Sequence, residues 1–177
     1  MKRSAVVLLI IFTAFPAFCL TYSPKVEARV DAEFYHSKLV TESIPFRTSL
    51  NIGGDIVPVY FDSPNLGFGA GFALSFTTRS LAFGHSITKP YRAFGPVLGL
   101  DWHVYRSFSL GLRTRLMFCA MGPVYVDEFA SVELELDPSL TVVEKGRIKL
   151  NVLVPLTAVF RKDGYCLRFG AGVGLSL

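Results

Sequence analysis

The chain has 177 residues, a formal charge of +4, 51% hydrophobic residues and a mean hydropathy of +0.43, which is apolar for an ordinary soluble domain. Without Lys2 and Arg3 at the extreme N-terminus the charge falls to +2, so a pI near 9.1 marks no basic face and no nucleic-acid partner is expected. Beyond the N-terminal segment every apolar run is broken by Arg, Asp or Glu before it could span a membrane as a helix; if a membrane holds this protein, strands must do it.

The first element reads as a cleaved secretory signal peptide. Lys2 and Arg3 precede an apolar run from Ala5 to Phe15, and Ala17-Phe18-Cys19 supplies a cleavage site. Residues 1–19 are therefore assigned to the leader and 20–177 to one domain. Lipidation of Cys19 is disfavoured, because Pro16 and Phe18 stand where a lipoprotein signal wants Leu and a small residue.

Eight segments of strict period-two alternation follow, the mark of strands with one apolar face. Val26, Ala28, Val30, Ala32 and Phe34 interleave with Glu27, Arg29, Asp31 and Glu33; Phe46, Thr48, Leu50 and Ile52 with Arg47, Ser49 and Asn51. Leu66 to Phe76 alternates with Gly67, Gly69, Gly71, Ala73 and Ser75, and Phe94, Leu98, Leu100, Trp102 and Val104 oppose Gly95, Gly99, Asp101 and His103. Phe108 to Phe118 sets apolar residues against Ser109, Gly111, Arg113, Arg115 and Cys119. Ala130 to Leu136 opposes Ser131, Glu133, Glu135 and Asp137, while Ile148 to Leu156 opposes Arg147, Lys149 and Asn151. The last segment is the most regular: Tyr165, Leu167, Phe169, Ala171, Val173, Leu175 and Leu177 alternate with Cys166, Arg168, Gly170, Gly172, Gly174 and Ser176. Pro58, Pro96, Pro138 and Pro155 each remove a ladder hydrogen bond, so bulges or strand ends are expected there.

Short connections (Asp62 to Asn65, Tyr105 to Ser107, Glu144 to Gly146) alternate with longer ones (His36 to Pro45, Gly84 to Arg92, Ala120 to Glu128), while Arg161 to Gly164 is short. This suits an all-β, antiparallel up-and-down transmembrane barrel of about eight strands, with tight periplasmic turns, longer outer loops and both termini in the periplasm. A soluble barrel would show the same alternation turned inside out. Two features favour the membrane: glycines crowd the polar face, where a narrow barrel needs room for side chains reaching across, and aromatics gather at both strand ends. Tyr35, Phe46, Phe83, Tyr91, Phe94, Tyr125, Phe129, Phe160 and Tyr165 would form the outer belt, and Tyr60, Phe68, Trp102, Tyr105 and Phe108 the inner one.

Folding these strands up places Arg29, Arg47, Arg79, Arg113, Arg115, Arg147, Lys149 and Arg168 inside with Glu27, Asp31, Glu33, Asp101, Glu133, Glu135 and Asp137, two signs in near balance. Buried charges must pair or bear a desolvation cost. An Arg–carboxylate network centred on Arg29, Asp31, Glu33, Arg113, Arg115, Glu133, Glu135 and Arg168 is therefore expected to plug the lumen.

With signal, strands and belts in place, the chain resembles the small eight-stranded outer-membrane barrels typified by OmpX, OmpW and the membrane part of OmpA. The resemblance is architectural and covers everything after the leader. It implies residence in the outer membrane of a double-membraned bacterium, outer-membrane lipid as surroundings, and periplasmic chaperones and the barrel-assembly machinery as partners in biogenesis. It also implies that Tyr165, Phe169, Val173, Leu175 and Leu177 form the terminal assembly signal, with Leu177 in place of the usual Phe.

No catalytic set is read from the sequence, and no enzyme, metal or cofactor is expected. His36-Ser37 and His85-Ser86 are adjacent pairs in loops, and His103 with Asp101 reads as a hydrogen-bonded pair inside the barrel. Gly67-Phe68-Gly69-Ala70-Gly71 continues a strand and opens no helix, so it is no nucleotide loop. Cys119 and Cys166 fall three strands apart and are expected to stay free thiols. The expected role is structural or surface-interacting through the outer loops. Two alternatives stay open: passage of small hydrophobic molecules, as in barrels resembling OmpW, hinted at by Val97, Met117 and Ala73 inside, and lipid modification.

Overall fold

The computed structural model describes residues 20–37, 47–77, 81–82, 85–86, 91–120, 130–161 and 164–177; the expected leader, residues 1–19, and most of the residues of the expected longer connections lie outside these. Eight strands follow in chain order: β1 Lys25–Ser37, β2 Arg47–Asp62, β3 Leu66–Thr77, β4 Tyr91–Tyr105, β5 Phe108–Ala120, β6 Ala130–Lys145, β7 in two stretches Ile148–Leu153 and Leu156–Arg161, and β8 Gly164–Ser176. Each pairs antiparallel with the next, and β8 returns to β1, which closes the sheet into a barrel. A two-residue ladder, Leu81–Ala82 with His85–Ser86, lies between β3 and β4 in the chain.

Alternation decides the faces, and it does so opposite to a water-soluble protein. On β1, Val26, Val30 and Phe34 are exposed while Glu27, Arg29, Asp31 and Glu33 are buried. β6 and β8 repeat the pattern: Val132, Leu134 and Leu136, and Leu167, Phe169 and Val173, point out, whereas Glu133, Glu135, Asp137 and Arg168 point in. A continuous apolar wall around a charged interior is stable only where the outer solvent is lipid, and closure leaves no strand edge unpaired. Trp102, Tyr105 and Tyr22 are exposed at the barrel end that holds the described chain ends, and Phe76, Phe94, Phe118, Phe160 and Tyr165 toward the other end.

Tyr60 is a correction to the inner belt. It is only 2% exposed and lies inside the barrel. A register shift between Ile56 and Val59 marks a bulge at Pro58, which puts Pro58 and Val59 both outside and returns Tyr60 to the lumen. The other prolines behave differently from one another. Pro155 interrupts β7, yet the flanking stretches keep one register against β8, and the Pro155 and Pro138 carbonyls still accept from Gly170 and Val154 N–H at 3.1 and 3.0 Å. Pro96 and Pro138 sit inside their strands without a register shift, contrary to the expected bulges or ends; the remaining shifts fall at His103/Tyr105 and Leu150/Asn151.

The end that holds Thr21–Tyr22 and Leu177 is tied together. Ser63 and Leu66 close the β2–β3 turn through both Ser63 N–H and Oγ, and Gly146, at φ +63°, supplies the left-handed residue of the β6–β7 turn. Thr21–Tyr22 pairs with Phe61–Asp62, and Leu177 N–H donates to the Pro24 carbonyl at 3.0 Å.

Candidate functional site in the barrel lumen

The inward faces stack in layers. At the mouth beside the chain ends, Asp62 accepts from His103 Nε2 at 2.7 Å and Lys149 Nζ at 3.1 Å, and His103 Nδ1 meets Ser109 Oγ at 2.7 Å. Above it Asp101 is the hub: its Oδ2 accepts from Lys25 and from the Tyr60 hydroxyl, both at 2.6 Å, and its Oδ1 from Arg113 at 2.7 Å. Arg113 reaches on to Glu27 at 3.1 Å, and the Lys25 ammonium also lies 4.3 Å from the Tyr60 ring centroid. The expected His103–Asp101 pair is thus overturned. Asp101 is already taken, and His103 finds its carboxylate on the neighbouring hairpin.

The third layer centres on Arg115. Its Nε and Nη2 grip Asp55, and its Nη1 and Nη2 grip Glu135 at 2.8 and 2.7 Å, so both carboxylates are bound in a fork. Thr157 donates to Glu135 at 2.8 Å, and Arg29 adds a bond to Asp55 and an ion pair with Asp31, both at 3.3 Å. Outermost, Arg168 joins Glu33 to Glu133, each at 2.8 Å, and Asn51 donates to Ser75 at 2.6 Å.

All eight residues expected in the network, Arg29, Asp31, Glu33, Arg113, Arg115, Glu133, Glu135 and Arg168, are buried in these layers. Sequence reading missed Asp55, Lys25 and Tyr60, each of which carries a principal contact. It also misplaced Arg147, which is exposed at a turn. Among the described lumen residues above the mouth, Glu27, Asp31, Glu33, Asp55, Asp101, Glu133, Glu135 and Asp137 face only Lys25, Arg29, Arg113, Arg115 and Arg168. Carboxylates are in excess among these described residues, the side chains of Arg47 and Arg79 lying outside the described part, and Asp137, buried near Glu27, Glu135, Arg113 and Asp101, has one carboxylate oxygen with no hydrogen-bond partner.

Glycine makes room for these long side chains. A Cβ on Gly53 would stand about 3.1 Å from the Arg29 guanidinium, and one on Gly99 about 3.0 Å from the Arg113 side chain. At Gly67 it would run into the Tyr60 hydroxyl, and at Gly170 into the Asp31 carboxylate.

Part of the inner wall is apolar: Val57 and Tyr60 of β2, Ala73 of β3, Ala93 and Val97 of β4 and Met117 of β5 form one buried cluster. Cys166 is buried, and its Sγ donates to the Leu167 carbonyl at 3.6 Å. β5 and β8 are separated by β6 and β7, while the side chains of Cys119, His36, Ser37, His85 and Ser86 lie outside the described part. Among the described residues, no three His, Cys, Asp or Glu side chains are grouped to hold a metal ion.

A closed antiparallel barrel of eight strands, apolar outside and charged within, has the architecture of the small bacterial outer-membrane barrels. Solved structures bear this out at the level of fold. Neisserial surface protein A matches with TM-score 0.53 and 16% identity over 88% of this chain and 97% of that one. The attachment invasion locus protein Ail of Yersinia pestis matches with TM-score 0.50 and 9% identity over 88% and 99%. No family model and no curated protein matches the sequence.

Proposed function

We propose that the chain is an integral protein of the bacterial outer membrane, with a closed lumen and a structural or surface-interaction role carried by its outer loops. The observation behind this reading is Arg115: fully buried, it spans from β2 to β6, four strands apart in a ring of eight, and fills the middle of the barrel with paired charge. An eight-stranded barrel has space for side chains and little else. Outer-membrane lipid, periplasmic chaperones and the barrel-assembly machinery are its proposed partners, the last recognising β8 through Tyr165, Phe169, Val173, Leu175 and Leu177. The purified, refolded protein is expected to show no reproducible single-channel conductance in planar bilayers; steady unit conductance would end the closed-lumen reading. Residence in the membrane is tested separately, by heat-modifiable gel mobility of outer-membrane fractions.

Transport of small hydrophobic molecules finds less support. Val97, Met117 and Ala73 do form an apolar cluster, but each is at most 1% exposed, so the patch is packed against its neighbours and offers no path. A lipid-modifying site would need its base or nucleophile at the lipid-facing rim, and His103, with its side chain only 18% exposed, points into the lumen. The charged core is accordingly read as non-catalytic: its cations and carboxylates serve to hold one another.

A further inference from the structure

The hydrogen bonds at the periplasmic mouth form a chain of the order carboxylate, imidazole, hydroxyl. Asp62 comes from the end of β2, His103 from β4 and Ser109 from β5, and three backbone features hold them in place. His103 and Ser109 are directly opposed across the β4–β5 ladder, the register shift begins just beyond them, and His103 N–H donates to the Asn65 carbonyl at 3.0 Å, next to Asp62's own turn. Both links measure 2.7 Å. An ionised carboxylate can only accept, so Asp62 fixes the imidazole proton on Nε2 and leaves the Nδ1 lone pair facing the Ser109 hydroxyl. This ring is turned over relative to the usual serine-hydrolase arrangement, but the roles are preserved: a base beside a hydroxyl, oriented by a third group.

The three groups line a cleft of about 430 Å³ together with Tyr60, Ser139 and Lys149. Its rim includes the β2–β3 and β4–β5 turns, so it opens to the periplasm while the Asp101 and Arg115 layers stop it above. That volume suits a small molecule rather than a lipid with two long chains. Lys25 and Lys149 are the ammonium groups within the cleft, and Lys149, with about a third of its side chain exposed, is the one less enclosed by protein.

We infer that Ser109, His103 and Asp62 form a hydrolytic site for small periplasmic esters, which goes beyond the surface role proposed above and replaces the non-enzymatic expectation at this one end of the barrel. Ser109 Oγ attacks the ester carbonyl as its proton passes to His103 Nδ1, and Asp62 steadies the imidazolium through Nε2. The tetrahedral oxyanion collapses, the C–O bond to the leaving group breaks, and His103 returns the proton to the departing alcohol. Water then attacks the acyl-Ser109 ester, again losing its proton to Nδ1. The acid leaves and Ser109 recovers its hydrogen, so the balance is ester plus water to acid plus alcohol. Lys149 acts through Asp62: its ammonium binds Oδ2 at 3.1 Å while Oδ1 accepts from His103, so it is a positioning residue for the carboxylate.

The test uses the refolded full-length barrel with p-nitrophenyl acetate, and in parallel a fluorophosphonate probe read by mass spectrometry. Wild type is expected to turn over the ester and to carry the phosphonate on Ser109. Ser109→Ala and His103→Ala should each lower kcat by about 10³-fold or more, with KM changed little, and Asp62→Asn should slow labelling of Ser109 while the barrel keeps its heat-modifiable shift. A wild-type rate no higher than that of Ser109→Ala overturns the proposal, as does a probe found only on other residues. If Ser109→Ala fails to refold, labelling of the wild type decides: an adduct on Ser109 that His103→Gln abolishes supports the site, and its absence refutes it.

Discussion

Arg115 of β5 forks between Asp55 of β2 and Glu135 of β6, so a single guanidinium ties opposite walls of the barrel. Removing Arg115 takes the fork from two buried carboxylates, leaving Asp55 with Arg29 and Glu135 with Thr157 and a longer ion pair to Arg29, at a cost of about 3–5 kcal/mol. Arg115→Met should therefore lower the stability of the refolded barrel by that order, read as a urea midpoint from the fluorescence of Trp102, the sole tryptophan. Adding Asp55→Asn and Glu135→Gln to the same chain should recover most of the loss. A triple variant no more stable than Arg115→Met would show that the pairing was not the source.

Gly67 and Tyr60 make a steric pair across the β2–β3 ladder. Gly67→Ala places a methyl on the Tyr60 hydroxyl and phenol carbon, which should cost about 1–3 kcal/mol by overpacking. Tyr60→Phe alone should cost about 1–3 kcal/mol, because Asp101 loses a buried donor. The double variant should be more stable than the two losses predict when added, since the hydroxyl that clashes is gone. Simple additivity in a double-mutant cycle would contradict the contact.

Asp137 invites the opposite change. Its charged neighbours are three carboxylates against the single Arg113 guanidinium, and one of its own oxygens lacks a partner, so the neutral Asp137→Asn should leave the urea midpoint unchanged or raise it. A fall comparable to that of Arg115→Met would mean Asp137 is held by a strong partner.

Asp62 lies at the barrel mouth beside the chain ends, at the tip of a 16-residue strand that is longer than the roughly 9–11 residues needed to span a membrane. Burial opposes its ionisation, but the hydrogen bond to His103 and the Lys149 ammonium outweigh that and hold its pKa below the ordinary 3.8. A lowered folded-state value means a stabilising contribution that is complete above the unfolded pKa and disappears as pH falls through the folded one. Wild type should thus lose stability relative to Asp62→Asn below about pH 4. Parallel pH profiles for the two would rule this linkage out.

The end of β8 carries a prediction about biogenesis. Leu177 is half exposed and its N–H is already tied to Pro24, so a larger apolar side chain can be accommodated there. Leu177→Phe should raise the fraction of expressed protein that reaches the membrane in heat-modifiable form, and Leu177→Asp should lower it. Equal yields for all three would remove Leu177 from the proposed assembly signal.

The strands and their faces were legible because a period of two leaves little freedom: once one residue of β8 or β1 is outside, every second one is. The lumen residues followed by parity. What parity could not supply was the effect of a bulge. Pro58 shifts the register, and the reading that placed Tyr60 in the aromatic belt failed for that reason, while Asp55 and Lys25 fell outside the segments first recognised. Nor could spacing along one strand identify partners across the lumen. Asp101 is two residues from His103 on the same face, yet Lys25, Tyr60 and Arg113 occupy it, and His103 turns to a residue 41 positions away.

The pairing of β8 with β1 runs along all 13 residues of β8 without a register shift, and Arg168 meets Glu33 directly across it. The first strand made therefore waits for the last. Until β8 has docked, Glu33 is without this guanidinium and β1 presents a bare row of amides and carbonyls, the kind of edge that recruits other chains. Closure has to be a late, all-or-none event for this chain. A version truncated before Gly164 should behave as an open, self-associating sheet rather than as a smaller barrel.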